Sequence, residues 1–435
     1  MFARIRNNTS DVPIGLTNEG CMSISYAELN PQSLAWWERA RSIVGGGGQA
    51  HRRTGKYTLR GGPHFIVRAQ GAYFWDVDGR QYLDYLLGYG PIIIGHCDPE
   101  VNTAVSRQMR DGTIFSLEHP AVIEFNEELC RTIPCAEMVI NTVGGSSATM
   151  AAVRCARVHT KREKVVRCGY HGWFDWCVPK DPGSPRFEQD LIRDVPYNDL
   201  TALAAALDQE VAAVIIEAYQ GDGPSPGYFD GVRELCDRHG AVFILDEVKT
   251  GFRFAAGGAQ EVFGIRPDLA TFGKAMCNGY PGSVVVGRRE MLQPRSDTWI
   301  GATFHGDLLS VAAARTVWRI LDERDGYGHI ARLGTRLMEG LNAIFRDRGF
   351  PVRVRGWPAM PELAQADNPP PELDGKVITE WCAAMQRRGF YMMGHCWFIS
   401  LAHTLEDIER TIAAGDDAVT EALAVIAQNE ELSYT

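Results

Sequence analysis

Two hydrophobic rhythms run along this chain. Before about residue 90 the apolar positions come in short alternating stretches. Phe65-Ile66-Val67 and Tyr73-Phe74-Trp75-Asp76-Val77-Asp78-Gly79 predict a hairpin that turns at Asp78-Gly79. Ahead of it, residues 1–33 are polar and irregular, the pattern of a loosely held arm. The segment PQSLAWWERARSI, residues 31–43, puts Leu34, Trp37 and Ala40 on one side of a helix. Gly45-Gly46-Gly47-Gly48 carries neither signal and reads as a flexible stretch.

From about residue 100 helical stretches alternate with short runs that are apolar throughout. These are Met138-Val139-Ile140, Val165-Val166, Ala213-Val214-Ile215-Ile216, Val242-Phe243-Ile244-Leu245 and Ser283-Val284-Val285-Val286. A strand with no polar face is covered on both sides, so the pattern predicts an α/β fold with a mainly parallel sheet between helices. Residues 310–348 read as helical through Leu333, Leu337, Leu341 and Ile344. Residues 351–371 read as a Pro-rich loop and 377–388 as a helix. The tail reads as a strand, Trp397-Phe398-Ile399-Ser400-Leu401, then a helix from Thr404. No internal repeat stands out.

Length and composition narrow the picture. At 435 residues the chain exceeds one simple core, so two lobes are expected. A net charge of −10 and no Lys/Arg block argue against a nucleic-acid partner. No run approaches the roughly 20 apolar residues that span a bilayer, so no membrane partner is expected. The start, MFARIRNNTSDVPIG, has no apolar core run, so no signal peptide is expected. The 11 cysteines are odd in number and include no CxxC pair; Cys130 and Cys135 are the nearest two. They read as reduced thiols of a cytoplasmic protein, and their scatter argues against a metal site.

Candidate chemistry gathers where apolar runs end. In open parallel sheets ligands collect beyond the carboxyl ends of the strands. Asp246 and Glu217 each close such a run, and Lys274 follows Leu269-Ala270-Thr271-Phe272-Gly273. A lysine amine can form a Schiff base with an aldehyde cofactor, and an aspartate can keep a pyridine nitrogen protonated. Together they point to pyridoxal 5'-phosphate (PLP). A lone lysine is more often a solvated surface group, and a lone aspartate at a strand end is as often a turn cap. Gly144-Gly145-Ser146-Ser147 precedes a helical run and suits a phosphate, though small-residue loops before helices are common. Val248 could press on one ring face, and Tyr170 could stack on the other or simply pack. His171 reads as a satisfied core histidine. Glu217 and Asp222 are substrate-side candidates or solvated loop acids. Thr303 offers a hydroxyl in a Gly-flanked loop.

DEVKTGF, PDLATFGKAM and GATFHGDLLS, in that order, resemble the class III aminotransferases of PLP fold type I, and most of all glutamate semialdehyde aminomutase. The likeness runs from about Ser33 to Ala424 and takes in ATMAAVRCAR, YHGWFDW and SLAHTLEDIERTI. It implies a large domain with a seven-stranded, mainly parallel sheet and a smaller α+β domain built from both termini. The division expected is 1–90 for the arm and part of the small domain, 91–315 for the large domain, and 316–435 for the rest of the small one. Lys274 matches the Schiff-base lysine, Asp246 the pyridinium partner, Val248 and Tyr170 the two ring contacts, and Gly145 and Ser146 the phosphate loop. Thr303 matches a threonine that reaches the other subunit's phosphate, which implies a homodimer with shared active sites. Arg52 falls where the aminomutase binds a substrate carboxylate.

Three positions depart from the family pattern. Gly145-Ser146-Ser147 stands for Gly-Thr-Glu, Glu217-Ala218 for Glu-Pro, and His395 for a glutamate of the last substrate segment. His395 with its neighbour Trp397 favours transfer between two molecules, from an amino acid donor such as glutamate to a carbonyl acceptor. An oxidised amino sugar in antibiotic (aminoglycoside) biosynthesis is the acceptor expected. The alternatives are an aminomutase or an epimerase on the same scaffold, and a binding protein that has lost catalysis. Retention of Lys274, Asp246 and Thr303 weighs against the last.

Overall fold

The structure, a computed structural model, describes residues 30–47, 65–178, 180–366 and 376–433. Most of the expected arm, residues 1–29, and Arg52 lie outside them. The helix expected at 31–43 is present as Pro31–Ile43, its first N–H groups taken by Asp78, and the glycines after it form a short 3-10 turn, Gly45–Gly47.

Near the N-terminus three antiparallel strands follow one another: β1 (Ile66–Gln70), β2 (Tyr73–Asp76) and β3 (Gln81–Asp84). The expected hairpin is therefore two. The first turns at Gly71, and Asp78-Gly79 turns β2 into β3. Asp76 closes that second turn by accepting the N–H groups of Asp78 and Arg80 at 3.1 and 2.8 Å. A strand from the far end of the chain, Phe390–Tyr391, adds to β3 in parallel.

The large sheet comprises β4 (Met138–Thr142), β5 (Lys164–Cys168), β6 (Ile192–Asp194), β7 (Val211–Glu217), β8 (Val242–Asp246), β9 (Leu269–Phe272) and β10 (Ser283–Gly287). Their order is β4-β10-β9-β8-β7-β5-β6. Neighbours from β9 to β6 pair in parallel, and β10 runs antiparallel to β4 and β9. Helices cover both faces. Gly145–Thr160 lies close against one of them because the side chains it buries, among them Ala148, Ala151, Ala152 and Ala156, are small.

Burial of Phe243, Ile244 and Leu245 in β8 contributes on the order of 5–9 kcal/mol. That anchors the strand end at Asp246, provided the carboxylate there finds donors; an unpaired buried ion costs several kcal/mol.

Three expectations are corrected. The span 310–348 is two helices, Leu308–Glu323 and Gly326–Asp347, broken at Arg324-Asp325, where Asp325 takes a left-handed φ of 48°. The Pro-rich span contains a hairpin, β11 (Val352–Trp357) and β12 (Met360–Gln365), because Val352, Val354, Pro361 and Leu363 bury one face. Residues 397–401 form no ladder. Four of their five N–H groups instead reach separate carbonyls, those of Pro361, Tyr85, Ala359 and Ile93. The last strand, β13, is Phe390–Tyr391, and the chain closes with the helix Leu405–Ser433. No described helix is long and apolar enough to cross a membrane.

Candidate active site

Strand register sets the acids of the site side by side. Glu217 at the end of β7 pairs with Asp246 at the end of β8, which pairs with Thr271 of β9. Asp246 is 5% exposed, and its oxygens take three donors. Oδ1 accepts the Val248 N–H and the Thr271 hydroxyl, both at 3.0 Å. Oδ2 lies 2.7 Å from His171 Nδ1, and His171 Nε2 lies 3.1 Å from the Cys168 carbonyl. A carboxylate offers about four lone-pair positions, so one remains for a further donor such as a protonated pyridine nitrogen. His171 is thus a core histidine, as its sequence suggests, and also the group that holds Asp246.

Lys274 leaves the end of β9 in a left-handed conformation, φ 45°, at the start of the 3-10 turn Lys274–Cys277. Such backbone is costly for a residue with a Cβ and is typical of positions fixed by function. Burial pushes the Lys274 ammonium below the ordinary lysine value, and the neighbouring Lys249 charge pushes the same way. Glu217 and Asp246 oppose the shift without cancelling it. The result favours a neutral, nucleophilic amine.

Lys249 stands opposite in sign of shift. Burial alone would lower it, but Glu217, Cys396 and Glu362 outweigh burial and its value lies above ordinary lysine. The Cys396 thiol is itself pushed up by burial and stays uncharged near neutral pH. The carboxylates therefore hold Lys249 protonated. Its Nζ lies 3.5 Å from Glu217 Oε1. Glu217 Oε2 also takes the Tyr170 N–H at 3.2 Å and Gln220 Nε2 at 2.9 Å.

The helix Gly145–Thr160 points its N-terminus at the same place. Its N-cap, Gly144, is extended at φ −171° and offers no side chain to the first N–H groups, which leaves them for a ligand. A Cβ at Gly145 would lie 2.8 Å from Val248 Cγ1, so only glycine fits there. Val248 thus sits between this loop and Gly273, on the approach to Lys274. The fit to PLP is direct: a bare helix N-terminus for a phosphate, a three-donor carboxylate with a lone pair to spare, and a desolvated amine.

The remaining candidates are placed less centrally. Tyr170 is 64% exposed beside Glu217. Thr303 is exposed on its loop. Asp222 is held by Arg353 through two bonds of 2.9 and 2.8 Å, which keeps its carboxyl below the usual range. His395 is half-buried, next to Cys396. Trp397 corrects the expected pocket: it is 0% exposed, stacks on Trp381 at 6.0 Å and bonds Met393, so it faces the core. Lys249 and His171 are the site members that sequence reasoning left unassigned. Lys249 stood in the quoted DEVKTGF, but nothing in the spacing tells which way it turns. Among the described residues no group of three or more His, Cys, Asp or Glu could hold a metal.

A model of the aminotransferase class-III family matches residues 57–405. A 3-aminobutyryl-CoA aminotransferase of Cloacimonas acidaminovorans is 35% identical over 91% of this chain and 97% of its own. A glutamate-1-semialdehyde 2,1-aminomutase of Methanothermobacter thermautotrophicus is 34% identical over 82% and 92%. Among solved structures, the PLP internal aldimine form of the FumI protein of Sphingopyxis sp. MTA144 superposes with a TM-score of 0.86. It shares 28% identity, covering 91% of this chain and 98% of that one.

Proposed function

This chain belongs to the class-III aminotransferases, a PLP-dependent family, and within it we propose transfer of an amino group from glutamate to a bulky carbonyl acceptor. The observation that carries the reading is a desolvated Lys274 and a three-donor Asp246 at the ends of the neighbouring strands β9 and β8. PLP supplies an aldehyde for covalent capture of amines and a ring that withdraws electrons from the substrate carbon. Lys274 would hold it covalently and, when displaced by the donor, carry a proton to and from that carbon. Asp246 would keep the ring nitrogen protonated, with His171 fixing its orientation. Gly145, Ser146 and the helix N-terminus would take the phosphate, and Val248 and Tyr170 would bracket the ring.

A homodimer with shared sites is part of the proposal. Exposure of Thr303 beside Phe304 (62%) and near Trp299 (86%) supports a second copy covering that loop. The acceptor we propose is an oxidised amino sugar in an antibiotic (aminoglycoside) pathway. Asp222, Arg353, Arg355 and Glu362 form a charged cluster near Lys249, which supports a hydroxyl-rich molecule. One relative is named for a CoA thioester, which supports room for a large substrate. Arg52 and His395 remain substrate-side candidates. The aminomutase relatives favour a second reading, intramolecular transfer or epimerisation without an external donor.

The test is a half-reaction. Glutamate added to the PLP form should bleach the cofactor band and release an equal amount of 2-oxoglutarate. Bleaching without keto acid would sink the transfer reading, and turnover without any donor would favour the second. Lys274→Ala should lose the borohydride-trapped adduct and slow transfer by about 10²–10⁴-fold or more.

A further inference from the structure

The site holds a second lysine that the reading above does not use. Lys249 is half-buried three residues beyond Asp246, and among the described residues Glu217 is its one ion-pair partner, at 3.5 Å. That contact is loose. An ammonium has three N–H donors, so Lys249 has capacity left over. Glu217 has other donors, since the Tyr170 N–H at 3.2 Å and Gln220 Nε2 at 2.9 Å both serve its Oε2 while Lys249 meets Oε1. The Glu217 carboxylate therefore keeps two hydrogen bonds when Lys249 engages another anion.

Its surroundings say what it can turn toward. Glu217, which Lys249 meets, is the register partner of Asp246, and the preceding Val248 lies against Gly273, next to Lys274. Lys249 thus stands at the same site as the reactive amine, and its charge is felt there. The phosphate-binding features lie elsewhere: Val248, not Lys249, abuts Gly145. A cation so placed, with unspent donors, suits an anionic group on the molecule that reacts at Lys274.

We propose that Lys249 is a specificity-determining residue that receives a substrate carboxylate beside Lys274. This rests on the reading that Lys274 carries the cofactor. Selection of amino acids over simple amines follows from it.

Glutarate tests the idea, since it keeps both carboxylates of glutamate and has no amine to react. Binding to the PLP-loaded protein is read from the shift in cofactor absorbance. Lys249→Met should weaken glutarate at least about ten-fold, and Lys249→Arg should stay within about three-fold of wild type. Borohydride reduction and peptide mapping should find cofactor on Lys274 in all three proteins. Equal glutarate affinity in K249M, no glutarate binding by wild type, or loss of the cofactor adduct in K249M and K249R would overturn the proposal. An adduct missing from wild type would instead remove the reading of Lys274, and this proposal with it.

Discussion

Asp246 shows how much of the chemistry rests on single residues. Both of its oxygens are bonded before any cofactor arrives, so its direction is fixed by Val248, Thr271 and His171. Asp246→Asn keeps the shape and removes the charge. It should leave the Lys274 adduct trappable but slow the glutamate half-reaction by about 10²-fold or more, measured by stopped-flow absorbance. Lys274 and Asp246 were legible in the sequence because a charged side chain at the end of a largely apolar run demands an explanation. His171 was not, since its partner lies 75 residues away. Trp397 misled for a related reason: it is close to His395 in sequence, but its ring turns into the core.

Between elements, the decisive contact is Gly145 against Val248. Gly145→Ala would push a methyl group to 2.8 Å from Val248 Cγ1, and overpacking of that kind costs about 1–3 kcal/mol. Cofactor affinity should fall roughly ten-fold, read by equilibrium dialysis. Gly145→Ala combined with Val248→Ala should recover most of the loss, since the two changes act on one contact. The elements of the large sheet were legible where they were apolar throughout. β6, only Ile192–Asp194, was too short to register. β11 and β12 were hidden by Pro351, Pro358 and Pro361, which suggest a loop although the turn at Pro358 is what the hairpin uses.

For the whole molecule, a buried arginine just beyond β8 links segments far apart in the chain. Arg253 is 1% exposed and donates to Gly90 at 2.6 Å and Ile399 at 3.0 Å. His403 is 1% exposed, and its Nδ1 accepts the Ser400 N–H at 3.1 Å. Burial pushes His403 down to about 4, below its ordinary 6.5. The unfolded chain therefore binds a proton that the folded one refuses between these values. Stability should be fully present above pH 6.5 and fall as pH drops toward 4, by on the order of 3 kcal/mol from this group. His403→Asn should flatten that slope in urea unfolding followed from pH 7 to 4.5. None of this was legible beforehand, because a histidine's burial depends on packing between distant segments.

The order of the large sheet also governs how the protein is made. Among the described residues β4 is an edge strand whose one neighbour is β10, and about 140 residues separate them. At translation rates of about 5–20 residues per second, Met138–Thr142 waits roughly 7–30 s on the ribosome before its mate is even synthesised. Through that interval a nascent apolar segment is open to wrong partners, so the yield of this enzyme in a cell should respond to chaperone supply.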